Sequence, residues 1–268
     1  MSLGSESDDS NWTKTEVWVP YLATAALAST ATFGGLVAYK RFLKRFPDSK
    51  HIPAPLIARK GWIKGVVTSV GDADNFRIYH TPGPLFLWKA PFRRIPTSTK
   101  ELRNQTIHIR IAGADAPEAA HFGKPKQPYA DEALVWLKSQ VAGKRVHCQL
   151  VHQDQYGRTV ANVHLPPHLL PSSLFTGRNV GYEMVKAGWA TTYTQSGAAY
   201  GSFGKDGFLV AEAKAKASRK GMWVNGEVET PAEYKKRHRI GEDSSSASDP
   251  SATESVSWWK RLLPWRSR

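Results

Sequence analysis

The chain has 268 residues, long enough for one ordinary domain with appendages or for two small ones, and a 41% hydrophobic content that suffices for a packed core. Lys and Arg number 37 against 23 Asp and Glu, and the resulting formal charge of +14 favours polyanionic partners, either nucleic acid or an anionic membrane surface. The single cysteine, Cys148, excludes an intramolecular disulfide framework and any zinc site built on several thiolates.

Residues 1–16, MSLGSESDDSNWTKTE, form an acidic tail, unlike the positive leader of a secretory signal or the Arg-rich presequence of mitochondrial import. Residues 17–39 carry no charge. At ~1.5 Å rise per residue they can cross a hydrocarbon core ~30 Å thick, so they read as a single transmembrane helix in contact with lipid. A buried core helix or a cleavable signal is the bland alternative. Lys40, Arg41, Lys44 and Arg45 follow the span, and the positive-inside rule puts the large C-terminal part on the cytosolic or matrix-like side. Residues 40–59 continue as a basic, Pro-containing stem.

Residues 60–230 read as globular. GWIKGVVTSV, NFRIYH and QTIHIRIAG are strand-like, the last alternating Ile107, Ile109 and Ile111 with His108 and Arg110. TPGPLFLWKAPFRRIPTSTKELRN between the second and third runs is too long for a tight hairpin loop and reads as an insertion. Ala130, Ala133, Leu134, Leu137 and Val141 fall at helical spacing with Gly143 as a stop, while RVHCQLV and TVANVHL flank a polar turn as a hairpin. NVGYEMVKAGWA and FGKDGFLVAEAKAKASRKGMW supply two further helices. The expected class is α+β, a five-stranded OB-type β-barrel with about three packed α-helices. Residues 241–268 read as a disordered Ser-rich tail that ends in WWKRLLPWRSR, a composition suited to a membrane interface or to nucleic acid.

Three short stretches carry chemistry: DAD at 72–74, RIAGADAPE at 110–118 and DQYGR at 154–158. Each alone is an ordinary polar turn or loop. Together they hold what phosphodiester hydrolysis needs. A hard divalent cation on carboxylate oxygens, with Asp74 and Asp115 as candidate ligands, can neutralise phosphate charge and orient water. Glu118 can accept the proton of that water, and the guanidiniums of Arg110 and Arg158 match phosphate oxygens. Tyr156 and Tyr193 are candidate walls for stacking a base.

These stretches, in this order and with these helices, resemble a staphylococcal-nuclease (thermonuclease-like) domain over about residues 60–226, including the closing AEAKAKASRKGMW. The acidic N-terminus, apolar span and basic stem further resemble the fungal membrane-anchored, mitochondria-associated endonucleases of that family. The resemblance implies that Arg110, Glu118 and Arg158 are catalytic, and that Asp74, Asp115 and the backbone carbonyl of Ala116 bind Ca2+. Asp72 is implied as a supporting group. It also implies cleavage of DNA or RNA with little sequence preference, leaving a 3′-phosphate and a 5′-hydroxyl. Ala73, Asn75 and Ala116 stand where the family usually has Gly, Thr and Thr; none of the three changes removes a charge. Two rival readings remain at this point, an OB domain that binds nucleic acid or protein without catalysis, and a membrane tether. No obligate protein partner is evident.

Overall fold

The structure is a computed structural model, and it describes residues 12–83, 93–120, 125–167 and 177–237. The tail at 241–268, the first residues of the acidic segment and the centre of the insertion at 84–92 lie outside the described residues. Two compact units are present, one comprising Met1–Arg45 with Pro82–Arg93 and the other comprising Phe46–Thr81 with Arg94–Arg268.

The first unit is dominated by helix α1, Trp12–Ala38, continued by a π-helical turn over Tyr39–Leu43. The helix starts inside the acidic segment, five residues earlier than the uncharged run, and within it the Ser29 and Thr32 hydroxyls donate to the Ala25 and Ala28 carbonyls one turn earlier. Its stretch Tyr21–Ala38 has the length and apolar composition to cross a membrane, and none of it is buried.

The second unit is α+β. Strands β1 (Trp62–Asp72), β2 (Asn75–His80) and β3 (Ile107–Ile111) form an antiparallel run, in which Ile63, Gly65 and Val67 turn inward from β1 and three isoleucines from β3. After a short helix α2 (Ala54–Ala58) ahead of β1 and another, α3 (Thr99–Leu102), ahead of β3, the chain makes a two-residue strand β4, Ala114–Asp115. Helix α4 (Ala130–Val141) buries Ala130, Ala133, Leu137 and Val141, one stripe at helical spacing. Gly143, at φ +68°, then reverses the chain into β5 (Arg145–Gln153), which forms a hairpin with β6 (Thr159–Leu165).

Strand β1 also pairs with β5, and β3 pairs with β6 in parallel, so the pairings run in a ring through β1, β2, β3, β6 and β5 and back to β1. Strand β7 (Arg178–Asn179) extends β6, and helix α5 (Val180–Lys186) follows it directly. Strand β8 (Thr191–Thr192) pairs with β4, and helix α6 (Gly204–Ala217) packs Phe208 and Ala211 into the same core as the isoleucines. Cys148 sits fully buried in that core as a small apolar side chain, where burial pushes its thiol up. The last helix among the described residues, α7, spans 231–237, beyond the stretch expected to be globular.

Candidate metal centre and active site

The hairpin between β1 and β2 closes in two residues, Ala73 and Asp74, with Asp72 and Asn75 paired across its end. A turn this tight fixes where its carboxylates point. Asp72 accepts the Ala73 amide at 2.8 Å, and Asn75 donates its side-chain amide to Asp74 at 3.0 Å. Asn75 is also the register partner of Arg110 on β3, which brings the arginine to the turn.

Arg110 then joins two distant parts of the chain. One guanidinium nitrogen lies 3.0 Å from Asp74 Oδ2 and another 3.1 Å from Asp115 Oδ1. Asp115 reaches this point because Gly113, at φ +78°, turns the chain between β3 and β4; a Cβ there would lie 2.9 Å from the Ala199 carbonyl and 3.0 Å from the Phe208 ring. Its strand is pinned from the other side by the β8 ladder and by Thr191, whose hydroxyl donates to the Asp115 carbonyl. Ala116, next in line, is buried beside the core.

Glu118 is held by a buried glutamine. Its amide donates to Gln127 Oε1 at 2.8 Å, its carbonyl accepts the Gln127 amide at 3.0 Å, and Gln127 is 2% exposed. A lysine from α7 completes the cluster, with Lys235 Nζ 2.8 Å from Asp115 Oδ1 and 2.7 Å from Glu118 Oε1.

The cluster is electrostatically strained. Burial raises the Asp115 carboxyl and Asp74 adds to the rise, against the opposing pull of Lys235 and Arg110. Burial likewise raises Asp72, reinforced by Asp74 and Glu118. Burial works against the charges of Arg110 and Lys235, yet their carboxylate neighbours outweigh it and raise both.

Arg158 stands to one side. The parallel register of β3 and β6 aligns Ile109 with Thr159, so the hairpin turn before Thr159 meets the strand that carries Arg110. Arg158 itself pairs with Asp154, Nε to Oδ2 at 2.6 Å, and its guanidinium lies 5.2 Å over the Tyr156 ring. Among the described residues no ion pair joins it to Asp74, Asp115 or Glu118. Next to Arg110 on the same strand, the His108 imidazole bonds Asn75 Oδ1 at 2.9 Å and is pushed down to about 4 by burial, with Arg77 and Arg158 adding to the shift. Tyr156 is 74% exposed. Tyr193 lies with its ring 5.5 Å from the Arg110 guanidinium carbon, and its backbone bonds Gly113 and Tyr200.

A family model described as Staphylococcal nuclease homologue matches residues 108–225. A protein named Probable endonuclease LCL3 from Schizophyllum commune is 48% identical over 257 residues, 94% of this chain and 88% of its own length. The chain belongs to the staphylococcal nuclease family. Relatives of the same name from Emericella nidulans and Arthroderma otae are 46% and 41% identical, covering 84% and 88% of this chain and 82% and 85% of their own lengths. Within this nuclease family member, Arg110, Asp115, Ala116, Glu118, Tyr156, Arg158 and Tyr193 fall inside the matched segment; Asp72, Asp74 and Lys235 fall outside it.

The oxygen donors gathered here suit a hard cation such as calcium, and the Lys235 ammonium shows that a positive charge already sits between two of them. Among the described residues no three acidic, His or Cys side chains are gathered closely enough to chelate a metal by themselves. Two cations, Arg110 and Lys235, occupy the space between the carboxylates instead.

Reading the sequence missed Lys235, Gln127 and the His108–Asn75 bond. A signal for the first was present, because Thr230 and Glu233 have capping-box spacing with Pro231 at the first helical position. In the structure Thr230 and Glu233 make both reciprocal bonds of that box. Nothing local marks Gln127 or His108; Gln127 bonds Glu118 across a loop and Glu229 from far along the chain, and His108 bonds Asn75 on the neighbouring strand.

Proposed function

We propose that this member of a nuclease family, a hydrolase of phosphodiester bonds, works as a calcium-dependent, membrane-anchored endonuclease on DNA and/or RNA with low sequence specificity. The carrying observation is Arg110 holding Asp74 and Asp115 on one guanidinium beside Glu118. In this reading Asp74, Asp115 and the Ala116 carbonyl hold calcium, which when bound supplies charge neutralisation at the phosphate. Glu118 accepts the proton of a water whose oxygen forms a bond to phosphorus while the bond from phosphorus to the 5′-oxygen breaks. Arg110 and Arg158 carry the growing charge on the phosphate oxygens, and Tyr156 and Tyr193 flank a base. Asp72 supports Asp74.

The strand ring in this reading is the five-stranded OB-type barrel, the nuclease domain spans 60–230, and residues 17–39 anchor it in a membrane, mitochondrial by family resemblance. The charge of +14 favours the polyanionic substrate.

Glu118→Gln and Arg158→Ala are each expected to lower calcium-stimulated cleavage of single-stranded DNA by about 100-fold or more, with unchanged circular dichroism. Wild-type cleavage by both variants overturns the reading.

A further inference from the structure

We propose that Lys235 is a tethered cation of the active centre. It holds Asp115 and Glu118 while calcium is absent and is displaced when calcium binds, so that helix α7 acts as a strap over the metal site. This rests on the calcium reading above.

Lys235 bridges two carboxylates. Its Nζ lies within 2.8 Å of an oxygen of Asp115 and 2.7 Å of an oxygen of Glu118, a proposed metal ligand and the proposed base. Ca2+ needs oxygens at about 2.3–2.6 Å, so an ammonium that close to both carboxylates and a calcium ion bound by Asp115 compete for the same space. Asp115 Oδ1 is already shared with Arg110, which leaves the lysine as the cation that can leave: Arg110 sits on a core strand, whereas Lys235 sits on a short helix outside the sheet.

The helix carries its own cap and its own docking contacts. A capping box between Thr230 and Glu233 starts it, and Arg237 closes back on Glu229 through two bonds of 2.8 and 2.9 Å. It docks through Tyr234, which is buried and donates its hydroxyl to the Pro125 carbonyl. A second attachment is Gln127, whose amide nitrogen donates to the Glu229 carbonyl at 3.3 Å while its oxygen accepts the Glu118 amide. The same buried side chain therefore touches both the segment that leads into the strap and the loop of the base. The strap lies past residue 225, outside the segment that matches the nuclease family.

Competition has a reciprocal consequence: if docked Lys235 weakens calcium binding by some factor, bound calcium weakens docking by the same factor. The test uses the full chain in detergent micelles, with calcium affinity read by titration calorimetry and docking read by amide hydrogen exchange over residues 232–237. Lys235→Gln is expected to bind calcium about tenfold more tightly than the wild type, within the usual range of such couplings. Lys235→Arg, which keeps the charge, and Lys236→Gln, which removes an exposed neighbour, are expected to match the wild type. Saturating calcium is expected to speed exchange in the wild-type helix. Equal affinity of Lys235→Gln and wild type, or exchange unchanged by calcium, overturns the strap and leaves the calcium site standing. Absence of calcium uptake in every variant overturns the calcium reading and the strap with it.

Discussion

Two regions of the same domain collect charges of one sign and resolve the repulsion in different ways. Around the β1–β2 turn, Asp72, Asp74, Asp115 and Glu118 are drawn together and balanced by Arg110 and Lys235. On the sheet, Lys64, His147 and His164 stand side by side in one row across β1, β5 and β6, with Arg145 two residues along. There burial pushes His147 down to about 4, with Lys64, Arg145 and His164 adding to the shift, so the imidazole is neutral at pH 7. A carboxylate cluster cannot discharge so easily near neutral pH, and its strain is available to a cationic guest. The imidazole row disposes of its strain by itself, which marks it as structural.

Neutralising the turn one carboxylate at a time separates the parts its two aspartates play. Asp74→Asn removes a proposed ligand and an Arg110 partner, and is expected to lower calcium-stimulated cleavage by more than about 100-fold, with Asp72→Asn costing only about tenfold, the range for groups that orient a ligand. Equal losses would abolish the division of labour between the two aspartates.

A smaller effect of opposite sign follows for stability. The folded-state carboxyl of Asp72 is raised, first by burial and then by Asp74 and Glu118, so the cost of its charge appears as pH rises through its folded value. Asn keeps an oxygen for the Ala73 amide but carries no charge. Asp72→Asn is therefore expected to raise the calcium-free Tm at pH 7, and to lose that advantage below pH 3.8, where the unfolded aspartate is also protonated. A Tm unchanged at pH 7 would mean that the cluster is not strained.

The same two regions show what the sequence could reveal. The alternation of Ile107, Ile109 and Ile111 and the spacing of Ala130, Ala133, Leu134, Leu137 and Val141 are local periodicities, and these side chains are buried as the pattern implies except Leu134, which packs only partly buried against the core. The acidic pair and the RIAGADAPE run were legible because their side chains are few, charged and close in the chain, and the structure does bring Asp74, Arg110 and Asp115 together. Arg158 was legible as a residue but not in its contacts, because its bond to Asp154 competes with any turn toward the carboxylates. Lys235 was hidden for a different reason. It is one cation in the Lys- and Arg-rich run EYKKRHR, and only the docking of Tyr234 at Pro125 selects it over Lys236. The imidazole row was hidden too, since His147 and His164 become neighbours only through the hairpin register.

The row offers the mildest test of the comparison. His147 Nε2 is buried with no hydrogen-bond partner among the described residues, so a proton added there meets Lys64 and Arg145 and no compensating acceptor. Its folded-state value of about 4 lies below the ordinary 6.5, so between those limits the unfolded chain binds more protons and stability falls as pH drops from 6.5 toward 4. His108, also pushed down to about 4, contributes in the same window and direction. His147→Gln takes one titrating group out of that difference and is expected to flatten the fall in Tm between pH 6.5 and 4.5 by up to one proton's share, whatever it does to Tm at pH 7. An identical slope in variant and wild type would mean that the imidazole is charged within its row. The row would then need a counter-anion, as the carboxylate cluster needs its cations, and the contrast between the two regions would fail.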